Sequence, residues 1–204
     1  MYCLIRGVSL DAAKVEEGLL VTFANITMRK LKTTELNRLS VEDFQQVTKN
    51  PIRLVLDNIR SHHNVGSIFR TSDALAIEGI DLCGYTPLPP HREIHKTALG
   101  ATDSVSWEHF EKTTDRVQQL LNEGYSVFAL EQTEDSTPLQ DLPILENAPI
   151  AVVLGNEVSG VDQEVIDMCK GVIEIPQFGT KHSFNVSVST GILLWELSKA
   201  YFKK

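Results

Sequence analysis

Apolar positions along the chain follow two rhythms. Short, nearly continuous apolar runs occur at 52–57, 80–83, 125–130, 149–154 and 171–175. They are rich in Val, Ile and Leu, which is how strands buried on both faces read. Between them, apolar residues recur at helical spacing. Over 64–76, Val65, Ile68, Phe69 and Leu75 form one apolar side. A helix over 113–122 closes at Gly124, and 162–169 reads as a short helix. The spacing predicts a long last helix over 184–202, packed through Val188, Ile192, Trp195 and Leu197. It also predicts a helix over 34–48, with Leu36, Leu39 and Phe44 on one face and Pro51 as its stop. Residues 84–102, rich in Pro and His, read as a loop. Strands alternating with helices predict an α/β protein with a mostly parallel sheet flanked by helices. Ligands bind such sheets at the carboxyl ends of the strands, so the loops after Asp57, Leu154 and Ile175 come first.

Composition narrows this picture without changing it. The chain has 204 residues, 42% hydrophobic and 23% charged, which excludes a disordered, collagenous or coiled-coil chain. Three widely spaced cysteines, Cys3, Cys83 and Cys169, form no disulfide framework or zinc knuckle and fit a reducing, cytoplasmic setting. The apolar run 18–26 is too short for a membrane span, and Glu16 and Glu17 before it do not suit a signal peptide. Character changes at Met28, where Arg29, Lys30 and Lys32 begin a basic cluster. Residues 1–27 are therefore expected to be an extension and Met28 a candidate start. Residues 28–50 form a helical segment, and 51–204 the main domain. The net charge of −8 argues against strong nonspecific binding to nucleic acid.

Several common chemistries are absent. No G-x-G-x-x-G follows the first strand. Gly155 and Gly160 have phosphate-loop spacing, but Val161 and Asp162 stand where Lys and Ser or Thr would touch phosphate and magnesium. No G-x-S-x-G elbow occurs. His62, His63, His91 and His95 make no convincing metal set, so no metal is expected. Three strand-to-loop junctions remain. The first carries Asp57, Asn58, Arg60, His62, His63, Asn64, Gly66 and Arg70, with Asn64 a candidate helix cap. The second is Gly155-Asn156-Glu157, which sets an acid at the sheet's carboxyl edge. A buried acid needs a partner, and Arg70 is the natural candidate. The third runs from Ile175-Pro176 through Gly179 to Ser183, Phe184 and Asn185, where Ser183 or Asn185 opens the last helix.

Together and in this order, these segments resemble the SpoU (TrmH-type) class of the SPOUT methyltransferases over about 34–202. The carrying residues are Asn64, Gly66 and Arg70, then Gly155, Asn156 and Glu157, then Ile175, Pro176, Ser183, Asn185, Val186 and Ser187. The resemblance implies a C-terminal trefoil knot, an exception to unknotted topology. It also implies a homodimer with the site at the subunit interface, and S-adenosylmethionine as methyl donor to a ribose 2′-OH of tRNA or rRNA. It would place the cofactor on Leu130, Gly155, Ile175 and Phe184. Arg70 would stabilise the developing alkoxide and grip a phosphate, since a guanidinium is too basic to serve as a literal base. Glu157 would orient Arg70, Asn64 would position the ribose or Arg70, and Ser183 and Asn185 would bound the site. Phe184, Gln177, Val158 and Ser189 depart from the usual family residues, all beside the cofactor loops.

RNA would be held by local basic patches: Arg29, Lys30, Lys32 and Arg38; Arg60, His62 and His63; and Arg92 with Lys96 on the 91–96 loop. Two alternatives stay open. One is methylation of a base by a related enzyme. The other is a knotted RNA-binding protein without catalysis.

Overall fold

The computed structural model describes residues 29–143 and 148–202. The expected extension 1–27 and the start at Met28 lie outside the described residues. The chain divides into two units, 1–38 and 39–204. In the described part of the first, a short 3-10 turn spans Thr33–Glu35. Arg29 donates to both carboxylate oxygens of Glu35 there, at 3.0 and 2.9 Å.

The second unit is built on one seven-stranded sheet in the order β3-β2-β1-β6-β4-β7-β5. Its strands are β1 (Asn50–Asp57), β2 (Ile77–Cys83), β3 (Trp107–Phe110) and β4 (Ser126–Leu130). β5 (Thr137–Pro138), β6 (Ile150–Leu154) and β7 (Gly171–Glu174) complete it. Every pairing is parallel, as the apolar runs predict. The helices are α1 (Val41–Gln46), α2 (His62–Ala74), α3 (Arg92–Ala98) and α4 (Ala101–Ser104). α5 (Thr113–Asn122), α6 (Gln163–Met168) and α7 (Val186–Ser198) follow. Successive strand residues point to opposite faces. Leu54, Leu56, Val152 and Leu154 thus pack with Val65, Ile68 and Phe69 of α2 and with Leu193, Leu194 and Leu197 of α7. Val55, Ala151 and Val153 pack on the other side with Val117 and Leu120 of α5 and Val165 of α6.

Three expectations are corrected. The helix over 34–48 is only the 33–35 turn and α1, and Leu36 and Leu39 are exposed. Asn37 sits at φ 45°, a left-handed conformation that stops a helix. Ser40 then starts α1 afresh by accepting from the Asp43 amide at 3.0 Å. The loop over 84–102 contains α3 and α4. Ile94 and Ala98, one turn apart, bury against α2, where a Cβ on Gly66 would lie 2.1 Å from Thr97 Oγ1. On α7, Val188, Ile192 and Trp195 are exposed, and the buried face is Thr190, Leu193, Leu194 and Leu197. The two edge strands β3 and β5 were not expected.

One charge cluster lies within this core. Asp81, 0% exposed, accepts from Arg53 at 2.6 and 3.2 Å and from Arg116 at 2.8 Å. Asp81→Ala leaves two nearly buried guanidiniums without their shared anion. It is expected to cost about 3–5 kcal/mol, read as a lower urea midpoint.

Candidate active site

The three sequence junctions meet at the carboxyl edge of the sheet. The first loop follows β1. Asn58 takes a left-handed φ of 55°. Its carbonyl accepts from Asn156 Nδ2 at 2.7 Å, and its Oδ1 accepts from the Tyr85 amide at 3.2 Å. The second loop follows β6 and closes on itself, with Asn156 and Gly160 exchanging backbone hydrogen bonds at 3.0 and 2.9 Å. A Cβ on Gly155 would lie 2.2 Å from Gly160 C, so only glycine permits this fold-back. Asn156 Oδ1 accepts from the Val158 and Ser159 amides at 2.8 and 3.2 Å, and Asn156 Nδ2 also donates to the Tyr85 hydroxyl at 2.7 Å. The third loop runs from β7 to α7, where Asn185 caps the helix by accepting from the Ser187 amide at 2.9 Å.

Glu157 joins these loops. One carboxylate oxygen accepts from the Arg60 amide at 2.9 Å. The other accepts from the Ser61 amide at 3.1 Å and from Asn64 Nδ2 at 2.8 Å. Asn64 Oδ1 in turn accepts from Asn185 Nδ2 at 3.1 Å. Partial burial pushes the Glu157 pKa up, but the Arg60 amide, the Asn64 side chain and the Ser61 amide outweigh it and hold it below the ordinary glutamate range. Asp57 anchors the far end of the second loop by accepting from the Asp162 amide at 3.2 Å and from Thr113 Oγ1 at 2.5 Å. There burial wins, and the Asp57 pKa is raised.

Between the second and third loops lies a cavity of about 680 Å³. Leu130, Gly155, Ile175 and Phe184, expected around a cofactor, all line it, as do Asn156, Glu157, Ser183 and Asn185. Two further lining residues, Glu131 and Gln132, were missed. Glu131 Oε2 accepts from the Val161 amide at 3.1 Å, and Gln132 Nε2 donates to the His182 carbonyl at 2.8 Å. They clip the second and third loops from a strand end that carried no recognisable motif.

Two expectations about α2 are corrected. Asn64 does not cap it. Ser61 does, accepting from the Asn64 amide at 3.3 Å, which leaves the Asn64 side chain for Glu157 and Asn185. Within the protomer Glu157 makes no contact with Arg70, and its oxygens accept instead from two backbone amides and Asn64. Six residues along a helix is about 240° of rotation, so Arg70 projects away from Asn64. Arg70 is exposed and forms no hydrogen bond or ion pair among the described residues. It shares its helix face with His63, seven positions earlier.

The expected basic patches are partly neutralised. Glu93 pairs with His63 at 3.0 Å and with Lys96 at 2.7 Å. Arg29 is paired with Glu35, whereas the exposed side chains of Lys30, Arg60 and Arg92 make no ion pair among the described residues. Among the described residues no three His, Cys, Asp or Glu side chains cluster as metal ligands, and no helix is long and apolar enough to cross a membrane.

A sheet of this order with its cavity on these loops defines a recognisable class, and residues 51–195 match the model of the SpoU rRNA Methylase family. The chain belongs to that family. It is similar to a tRNA (guanosine(18)-2′-O)-methyltransferase of Aquifex aeolicus, 34% identical over 149 residues, covering 70% of this chain and 66% of that protein. It is similar to the 23S rRNA (guanosine-2′-O-)-methyltransferase RlmB of Neisseria meningitidis, 29% identical over 161 residues, covering 78% and 63%. Among solved structures it resembles an AdoMet-bound rRNA methyltransferase from Sinorhizobium meliloti at TM-score 0.70 and 25% identity, covering 78% and 60%. The chain thus spans just under two thirds of the length of these two curated relatives.

Glu157→Gln removes the charge from this junction and is expected to destabilise the protein by about 1 kcal/mol at neutral pH, since the group is partly solvated. The Glu157 pKa is lowered on folding. Its contribution is therefore full above the ordinary glutamate range and is lost as pH falls through the lowered folded value. Wild-type and Glu157→Gln unfolding curves should converge below that pH.

Proposed function

We propose that this chain methylates a ribose 2′-OH in tRNA or rRNA, using S-adenosylmethionine. The observation that carries the reading is the convergence of three separate sequence junctions on one cavity, joined by the Glu157–Asn64–Asn185 hydrogen bonds. The names of the relatives support the reaction, and the AdoMet-bound neighbour supports the donor. The cavity fits that donor chemically. Leu130, Ile175 and Phe184 offer apolar walls for an adenine, while Glu131, Glu157 and Glu174 surround the space with carboxylates suited to a cation. When bound, S-adenosylmethionine supplies an electrophilic methyl carbon on a sulfonium. The chain's own residues do the rest. Ser183 and Asn185 bound the reacting end, Asn64 positions the ribose, and Glu157 fixes Asn64. Arg70 stabilises the developing alkoxide and grips a neighbouring phosphate.

Arg70 projects from its own chain, so in this reading it completes the cavity of a partner protomer. The exposed apolar residues Val158, Phe178 and Phe184 beside the cavity, and Val188, Ile192 and Trp195 on α7, support a homodimer. The order of the sheet supports a knot. After β4 the chain forms β5 on the far side of β7, and β6 lies on the other side of β4. In this reading β7, lying between β4 and β5, is threaded by that connection before the chain continues to α7. Residues 1–27 stand in this reading as an extension, 28–50 as a helical segment and 51–204 as the cytoplasmic catalytic domain. Arg29, Lys30, Arg60, His63, Arg92 and Lys96 serve as RNA contacts, and no metal is required.

Incubating the full chain with labelled S-adenosylmethionine and total tRNA or rRNA, then mapping nucleosides, should yield 2′-O-methylribose. A methylated base would shift the reading to base chemistry, and absence of cofactor binding would leave a silent RNA-binding protein. Arg70→Ala should lower the rate about 10²–10³-fold. Mixing Arg70→Ala with a cavity variant such as Asn185→Ala should restore activity that neither parent has. Ile192→Glu should give a monomer by sedimentation and abolish activity with it.

A further inference from the structure

We infer that a second cavity, on the flank of α3, is a pocket for one unstacked RNA base beside the methylated nucleotide. The inference rests on the proposed RNA substrate and assigns a contact outside the methyl-transfer site. The cavity holds about 430 Å³, within the roughly 300–1,000 Å³ typical of small-ligand sites. Its walls include Pro90, His91, Arg92, His95, Asp103 and the half-buried Trp107. Three flat rings in one cavity suit a base, since unpaired RNA bases are held by stacking on aromatic and imidazole faces. Arg92, exposed and without an ion pair among the described residues, supplies a guanidinium for the attached phosphate. Asp103 supplies a carboxylate that accepts from the N–H groups of a base edge.

The pocket is tied to the candidate active site by rigid contacts. His91 stacks on His62 at 4.0 Å between ring centroids, and His63 meets Glu93 at 3.0 Å. Thr97 Oγ1 donates to the His63 carbonyl at 3.1 Å, and Gly66 leaves no room for a Cβ between α2 and α3. The helix that presents Asn64 and Arg70 thus also fixes the pocket wall. A base seated there would set the register of the strand entering the site.

The full chain, saturated with S-adenosylhomocysteine to fill the first cavity, is titrated with a short single-stranded RNA while tryptophan fluorescence is followed. Wild type should show quenching. The exposed-site variants Arg92→Ala and His95→Ala should weaken binding at least about fivefold, the lower end for loss of one stacked base. Trp107→Phe should keep affinity while removing most of the quenching. In methylation assays, His95→Ala should raise KM for RNA and leave kcat at saturating RNA unchanged. Unchanged affinity and KM in His95→Ala, with methylation intact, would overturn the pocket and leave the proposed reaction standing. Absence of methylation in wild type would instead overturn the reaction, and the fluorescence titration would still decide the pocket.

Discussion

The arrangement depends on one carboxylate held by main-chain amides. Glu157 sits at the carboxyl edge of the sheet, yet its acceptors are used by the Arg60 and Ser61 amides and by Asn64, all around the start of α2. The first turn of a helix carries unsatisfied amides and the positive end of its dipole. A carboxylate placed there is stabilised and stabilises the helix start in turn. Because Glu157 belongs to the loop after β6 and α2 to the segment after β1, this bond fixes two junctions more than ninety residues apart in sequence. Asn64 then passes the constraint to Asn185 and the cap of α7. The cavity is what remains between loops so held.

This economy explains why Arg70 is left over. An arginine beside Glu157 would compete with the amides for its oxygens, and the helical rotation between Asn64 and Arg70 prevents it. Arg70 is exposed and without an ion pair among the described residues, which is why the proposed function gives it to a partner protomer's cavity. The same logic applies to α7. Its buried face is already made by Leu193, Leu194 and Leu197, so Val188 and Ile192 stay exposed, and Trp195, half exposed, packs only its ring on Phe202. A helix that is apolar nearly all round is one that packs on two sides.

Legibility in the sequence followed the physics of each element. Strands β1, β4, β6 and β7 were readable because burial on both faces removes polar interruptions. α5 was readable to its ends, because Gly124, at φ 89°, provides a stop that few other residues could. Short elements were not. α3 was hidden because Pro89, Pro90 and His91 dominate its approach, and only Ile94 and Ala98 are buried. β3 and β5 are edge strands, with too few residues to show a pattern. Side-chain partners were legible only where type and position both constrain them. The cap of α7 was narrowed to Ser183 or Asn185, and Asn185 takes it. Asn64 satisfies the first only, because Ser61 can cap equally well and frees it. Glu131 was invisible, since a lone acid after a strand carries no spacing signal.

Net charge bounds nonspecific attraction to RNA but does not say where RNA would be held. Discounting the nearly buried Asp81 with its two guanidiniums removes one net positive charge, so the water-facing surface is no less acidic than the formal count. Lys96 and His63 are already engaged by Glu93, so that patch has little free positive charge to offer. What an approaching strand of RNA meets is the residue of these cancellations. Arg60, Arg70 and Arg92, all exposed, are unpaired among the described residues and surround the start of α2 and the α3 pocket. Binding that neutralises about three phosphates would follow salt with a slope near −2 for a single strand. That is shallow beside the slopes of proteins that grip nucleic acid mainly by charge. An acidic chain of this kind has little nonspecific attraction with which to search, so its selectivity must come from shape and stacking. The proposed ring-lined pocket beside α3 would supply both.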